Sequence, residues 1–70
     1  MYKVKKNMTI GENLKLNRVL RGMSQQELAK AVGVTPAMIC QIERGSKSLS
    51  LALAIDICER LEIDIKDLIK

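Results

Sequence analysis

Residues that can begin and end helices recur along this chain at short intervals, and they constrain its fold more than any other feature. Thr9 and Ser24 are each followed three residues later by a glutamate, which is the spacing of a capping box. Thr35 can cap a third helix, and the next residue, Pro36, is favoured in a first helical turn. Glycines that can end helices follow at positions 22, 33 and 45. The chain is therefore predicted to be a series of short helices.

Apolar residues at helical spacing predict five helices, and no strand-like alternation persists beyond a few residues. The helices are expected at about residues 10–21, 25–32, 36–44, 51–61 and 65–69, the last of them capped by Asp64. The apolar stripe of the fourth is predicted to be Leu51, Ala54, Ile55, Cys58 and Leu61. The fold class is thus all-α. We expect a basic, flexible arm at residues 1–8, followed by one compact domain over residues 9–70.

Positive charge is concentrated in the first two-thirds of the chain. Residues 1–49 hold nine Lys or Arg and three Asp or Glu, or +6, whereas residues 50–70 hold three and five, or −2. Basic segments attract phosphate groups of nucleic acids or membranes, although a solvated surface has the same composition. The arm with Lys3, Lys5 and Lys6 either wraps a DNA duplex or is an unstructured solubilising tail.

Several functional classes lack the residues that they need. The chain has two cysteines and no histidine, so it cannot supply the four ligands of a zinc site, and the commonest general base is missing. It has no glycine-rich phosphate loop, no apolar run of membrane-spanning length and no signal-peptide core. We therefore expect a cytoplasmic protein that is not an enzyme, with no metal, cofactor or membrane partner.

The segment from residue 25 to residue 44 has the architecture of a helix-turn-helix motif, in which two short helices flank a turn containing Gly33. At about 100° per residue, Ile39 and Ile42 point to one side of the second helix of the motif, which is the third of the chain. The opposite side carries Ala37, Gln41 and Arg44. Glutamine can hydrogen-bond adenine, arginine can bind guanine or a phosphate, and alanine can touch a thymine methyl. An ordinary amphipathic helix with a polar outer face shows the same pattern, so periodicity alone leaves both interpretations open.

The run from Arg18 to Ser46 closely resembles the Cro and phage-repressor helix-turn-helix family of XRE-like transcriptional regulators. The matching positions are Arg18, Ser24-Gln25, Glu27-Leu28-Ala29, Gly33-Val34, Ile39 and Ile42-Glu43-Arg44-Gly45, and the match continues at Leu51, Leu61, Ile63 and Leu68. The resemblance implies a lambda-repressor-like fold of five helices around one core. It also implies sequence-specific binding of double-stranded DNA, with the third helix in the major groove, by a transcriptional regulator that is most often a repressor.

The resemblance also implies roles for individual residues. The positions that match base-reading residues are Thr35, Pro36, Ala37, Met38 and Gln41. Those that match phosphate-binding residues are Gln25, Arg44, Ser46 and Lys47. Arg18 and Glu43 match a structural ion pair. Because Pro36, Ala37 and Met38 have no side-chain donor, hydrogen-bond readout is expected to depend largely on Gln41 and Thr35, and the remaining specificity on thymine methyls or DNA deformability.

Relatives of this kind bind palindromic operators as two-fold dimers, so we expect a homodimer. Leu49, Leu53 and Ile57 recur every four residues beside the predicted core stripe. The predicted dimer contact consists of Leu49, Leu53, Ile65 and Ile69, unless these residues only widen the core. The alternative function is a protein-interaction module, such as an antitoxin or an accessory subunit, built on the same fold.

Overall fold

The computed structural model describes residues 8–69, which form five α-helices and no strand. Their bounds are α1 Ile10–Leu20, α2 Gln25–Val32, α3 Pro36–Arg44, α4 Leu51–Leu61 and α5 Lys66–Ile69. The predicted all-α fold of five helices is confirmed. The start of α5 is one residue later than predicted: Ile65 precedes the first helical residue, and its carbonyl accepts the first bonds of the helix, from Leu68 and Ile69. None of the helices described is long and apolar enough to cross a membrane.

Side chains that accept hydrogen bonds from the backbone begin the first four helices. In α1, Thr9 Oγ1 accepts from the Glu12 amide at 3.1 Å, and Glu12 Oε1 accepts from the Thr9 amide at 2.9 Å. Ser24 takes part in the same reciprocal capping box at the start of α2. Thr35 and Ser50 cap α3 and α4 with one bond each. Because every cap acts over three residues, the helix starts are determined locally.

Left-handed backbone conformations end α2, α3 and α4. Gly33 and Gly45 supply them for α2 and α3, with φ of 77° and 84°. Glu62 supplies the third with φ of 58°, which costs about 1–2 kcal/mol for a residue with a Cβ. Arg21 contacts Glu62 twice, through a 3.1 Å ion pair and a 3.2 Å hydrogen bond to its carbonyl. These contacts join the end of α1 to the end of α4.

One core is shared by all five helices. It consists of Leu14 from α1, Leu28 and Ala29 from α2, Ile39 and Ile42 from α3, Leu53, Ala54, Ile57, Cys58 and Leu61 from α4, and Leu68 from α5. Helices α2 and α3 pack against each other, and α1 packs on both α3 and α5. Helix α3 therefore packs directly on both α1 and α2.

The orientation of α4 differs from the prediction. Leu51 and Ile55, assigned to the core stripe, are 66% and 48% exposed, whereas Leu53 and Ile57 are buried. Apart from Ala52, the apolar residues of α4 occupy about 200° of its circumference, at the usual ~100° per residue, and this arc is wider than the core can cover. Helix α4 packs against α2, and the side of its apolar arc that carries Leu53 and Ile57 is buried in the core. The prediction is wrong at Leu51 and Ile55 for this reason.

A buried amide ties the short α5 to α1. Asn13 is 1% exposed, and its Nδ2 donates to the carbonyl oxygen of Leu68 at 3.1 Å. The backbone carbonyl of Asn13 in turn accepts from Asn17 Nδ2 at 2.8 Å. A helix of four residues is not stable alone in water. The hydrogen bond from Asn13 and the burial of Leu68 therefore hold α5 in place.

Both cysteines are free thiols, with Cys40 half-buried on α3 and Cys58 buried on α4. Burial raises the pKa of the Cys58 thiol, and the carboxylates of Asp67 and Asp64 raise this pKa further. The thiol therefore stays protonated near neutral pH. In that form Cys58 acts as a small apolar residue of the core.

Candidate nucleic-acid interface

The turn between α2 and α3 sets the angle between the two helices. The amide of Gly33 donates to the Ala29 carbonyl, and the amide of Val34 donates to the same oxygen at 3.0 Å. A Cβ at Gly33 would meet no atom within 4 Å, so the glycine is needed for its left-handed backbone and not for space. Thr35 then caps α3. Two capped helices thus meet across a three-residue turn.

Helix α3 divides into an inner and an outer face. Ile39 and Ile42 are 0% and 2% exposed. On the other side, Ala37, Gln41 and Arg44 are exposed. The predicted orientation of α3 is confirmed. We call Ala37, Gln41 and Arg44 the exposed α3 face.

The first turn of α3 offers less free surface than its sequence indicates. Thr35 and Pro36 are exposed, but Thr35 Oγ1 already accepts from the amide of Met38 at 3.1 Å. The hydroxyl of Thr35 keeps its own proton for donation. Met38 is half-buried and packs against the core. Of the residues predicted to read bases, Met38 is therefore the one whose side chain is shared with the protein interior.

Helix α3 ends in a turn that is polar and positively charged. The amide and the hydroxyl of Ser46 both donate to the carbonyl oxygen of Gln41, at 2.9 and 3.2 Å. Arg44, Ser46 and Lys47 are all exposed. Within residues 8–69, the ion pairs involve Arg18 and Arg21, so the charges of Arg44 and Lys47 are not matched by an acidic partner there. This end of α3 therefore suits an anionic partner.

Arg18 joins three segments of the domain from the protein interior. Its Nε donates to Glu43 Oε2 at 2.6 Å and its Nη2 donates to Glu43 Oε1 at 3.1 Å. Its Nη1 donates to the carbonyl of Met23 at 2.6 Å. The two side chains of the ion pair are only 9% and 3% exposed. Arg18 thus holds α1, the α1–α2 turn and α3 together through one guanidinium group.

Gln25 extends this network to α2. It is the first residue of α2 and is half-buried. Its Nε2 donates to Glu43 Oε1 at 3.0 Å. The side chain that the resemblance assigns to phosphate binding is therefore bound to the carboxylate of the ion pair.

Gly11 also positions the site, and sequence reasoning missed it. Helix α1 passes so close to the end of α3 that a Cβ at Gly11 would lie 2.6 Å from the carbonyl oxygen of Glu43 and closer still to that of Ile42. Only a glycine fits there. The available signal was a glycine inside a regular helix, where it costs about 1 kcal/mol relative to alanine and so indicates a packing reason.

The four residues predicted to form a dimer contact differ in how far they are exposed. Leu53 is 9% exposed and belongs to the core, which agrees with the alternative that these residues only widen the core. Leu49 and Ile65 are half-buried against the core. Ile69 is 42% exposed. Of the four, Ile69 alone is exposed.

Lys3, Lys5 and Lys6 of the basic arm lie outside the described residues. Within residues 8–69, the acidic residues and cysteines form no group of three or more that could hold a metal ion.

The fold and the site together define a helix-turn-helix domain, in which α2 supports α3 and α3 keeps one face exposed. The helix-turn-helix family model matches residues 14–68. The chain therefore belongs to the Cro and phage-repressor helix-turn-helix family, as its resemblance predicted. It is 38% identical over 55 residues to MJ0272 of Methanocaldococcus jannaschii, an uncharacterized HTH-type transcriptional regulator, covering 79% of this chain and 83% of that protein. Another curated relative is longer, and the chain spans 29% of its length.

Solved structures give the same result for the fold. The P22 c2 repressor, in complex with a synthetic operator, superposes with a TM-score of 0.84 and 25% identity, over 91% of this chain and 97% of that one. SinR, the master regulator for biofilm formation, in complex with DNA, superposes with a TM-score of 0.80 and 28% identity, over 86% and 97%. The predicted lambda-repressor-like fold is confirmed.

Proposed function

We propose that this protein is a transcriptional regulator that binds double-stranded operator DNA sequence-specifically as a homodimer and acts by repression. The observation that carries the proposal is the exposed α3 face, which lies opposite Ile39 and Ile42 in the core. No described segment of the chain covers Gln41 or Arg44. An α-helix with such a face fits the major groove of B-DNA.

The proposed contacts divide the site into two sets. The base-reading set is Thr35, Pro36, Ala37, Met38 and Gln41. The phosphate-binding set is Gln25, Arg44, Ser46 and Lys47. Gln41 can bond both adenine N6 and N7, and Ala37 can contact a thymine methyl. Arg44 and Lys47 supply attraction that does not depend on sequence. Two similar proteins were solved in complex with a synthetic operator and with DNA, which supports a DNA-binding role for this domain.

We expect Gln41→Ala and Gln25→Ala to affect DNA binding in different ways. A preferred duplex is first selected from random sequences, and affinities are then measured for it and for a random duplex. Gln41→Ala should lose about 1–3 kcal/mol on the selected duplex and little on the random one, because it removes a base contact. Gln25→Ala should weaken both to a similar extent. Each variant is thus the control for the other. Selection without a preferred palindrome, or equal losses for Gln41→Ala on both duplexes, would contradict the proposal.

The size of the reading helix supports the proposed homodimer. The nine residues of α3 extend over about 13 Å at the usual helical rise, which is a short stretch of duplex. Two copies on half-sites about 34–36 Å apart would read a palindrome with useful specificity. Leu51 and Ile55 lie one turn apart on α4 and are both exposed. We therefore place the dimer contact on Leu51 and Ile55 and retain Ile69 as a second candidate.

Sedimentation checks this placement. We expect Leu51→Ser combined with Ile55→Ser to raise the dimer dissociation constant at least about tenfold, because burial of such a side chain contributes about 1.5–3 kcal/mol. Ile69→Ser tests the second candidate separately. Val19→Ser is the matched control, since Val19 is 56% exposed on α1. A wild-type monomer at high micromolar concentration would contradict the homodimer.

A further inference from the structure

The carboxylate of Glu43 has more partners than an ion pair requires. Arg18 binds both of its oxygens, and Gln25 Nε2 donates to Oε1 at 3.0 Å. Glu43 is 7% exposed, so this carboxylate lies inside the protein beside the first turn of α2. The contact with Gln25 therefore joins the buried ion pair to a side chain at the protein surface.

The contact restricts where Gln25 can point. One hydrogen of Nε2 is directed at Glu43, and the second hydrogen has no partner within residues 8–69. A free glutamine loses much rotamer freedom when a ligand orders it. Gln26, the next residue, is exposed and has no side-chain bond recorded in the same range. The two neighbouring glutamines thus differ in how far the protein orders them before any ligand binds.

We propose that Glu43 is a positioning residue for DNA binding, which holds the Gln25 amide so that its second Nε2 hydrogen is presented to a backbone phosphate. The inference rests on the DNA-binding function proposed above and assigns the buried ion pair a part in it. Arg18 is necessary to this role as well as to the fold. A lone carboxylate close to a phosphate would repel it, and the bidentate guanidinium cancels that charge.

The test replaces the ion pair without changing the charge of the protein. Arg18→Met with Glu43→Leu removes one positive and one negative charge, so long-range attraction to DNA is unchanged. Apolar replacement of a buried pair often leaves stability equal or higher. A thermal melt followed by circular dichroism verifies folding. The control is Arg21→Gln with Glu62→Gln, which removes the exposed pair and is also charge-neutral.

Affinities for a random-sequence 20-base-pair duplex are measured for four proteins: the wild type, the pair variant, Gln25→Ala, and the combination of all three substitutions. We expect the pair variant to bind about fivefold to tenfold more weakly, because Gln25 is no longer ordered in advance. The combination should bind no more weakly than Gln25→Ala alone. The exposed-pair control should bind like the wild type.

Additive losses, or a folded pair variant with unchanged affinity, would overturn the inference and leave the proposed function in place. A wild type that binds no duplex at low salt would overturn both. If the pair variant does not fold, the side-chain amide ¹⁵N relaxation of the wild type decides the matter. Gln25 should be rigid and Gln26 mobile, and equal mobility of the two amides would refute the positioning role.

Discussion

Gly11→Ala is expected to lower the free energy of unfolding by about 3 kcal/mol or more, which is a large part of the stability of a small domain. The added methyl group would collide with the backbone carbonyls of Ile42 and Glu43. Backbone atoms cannot move aside as a flexible side chain can, so α1 and α3 would have to separate. Helix propensity acts in the opposite direction, since alanine is the better helix former by about 1 kcal/mol. The collision should dominate.

Urea unfolding followed by circular dichroism measures this effect, and Gly45→Ala is the matched control. At Gly45 a Cβ meets nothing within 4 Å, but φ is 84°, so the substitution costs only backbone strain. That strain is about 1–2 kcal/mol. We therefore expect Gly11→Ala to be the more damaging of the two, although its own backbone is helical. A Gly11→Ala protein as stable as the wild type would show that the close approach of α1 and α3 is not required.

Glu43→Ala is expected to destabilise the protein by about 3–5 kcal/mol, because it leaves the buried guanidinium of Arg18 without its counter-charge. The substitution also removes the acceptor that holds Gln25. Folding and DNA binding should therefore weaken together.

Thermal and urea unfolding of the same protein provide the measurement. Arg21→Ala is the control, since it breaks the exposed pair with Glu62, whose side chains are 43% and 74% exposed. Exposed pairs contribute about 0–1 kcal/mol. A melting curve for Glu43→Ala that matches the wild type would contradict the importance of the buried pair.

The sequence predicted the helices well because their signals are local. Thr9, Ser24, Thr35 and Ser50 each cap the helix that follows through a bond spanning three residues. Such signals can be recognised without knowing where any other helix lies. The inner and outer faces of α3 were predictable for a similar reason, since its apolar residues occupy a narrow arc.

Features that depend on how helices meet were not predictable. Either side of the broad apolar arc of α4 could face the core. Only the contact of α4 with α2 determines that the side with Leu53 is buried and the side with Ile55 is exposed. The close approach at Gly11 involves residues that lie 31 and 32 positions further along the chain. The bond between Gln25 and Glu43 joins residues that are 18 positions apart. Neither can be inferred from spacing along the chain. The candidate site was thus predicted as a set of exposed residues, but the contacts that hold it were not.

The local caps have a consequence for the time that this chain needs to fold. When each helix carries its own start signal and most contacts join residues that are close in sequence, little loop-closure entropy opposes assembly, and helical domains of this kind fold in about microseconds to milliseconds. Ribosomal synthesis at about 5–20 residues per second takes far longer for 70 residues. The supply of functional protein is therefore limited by translation and turnover rather than by folding.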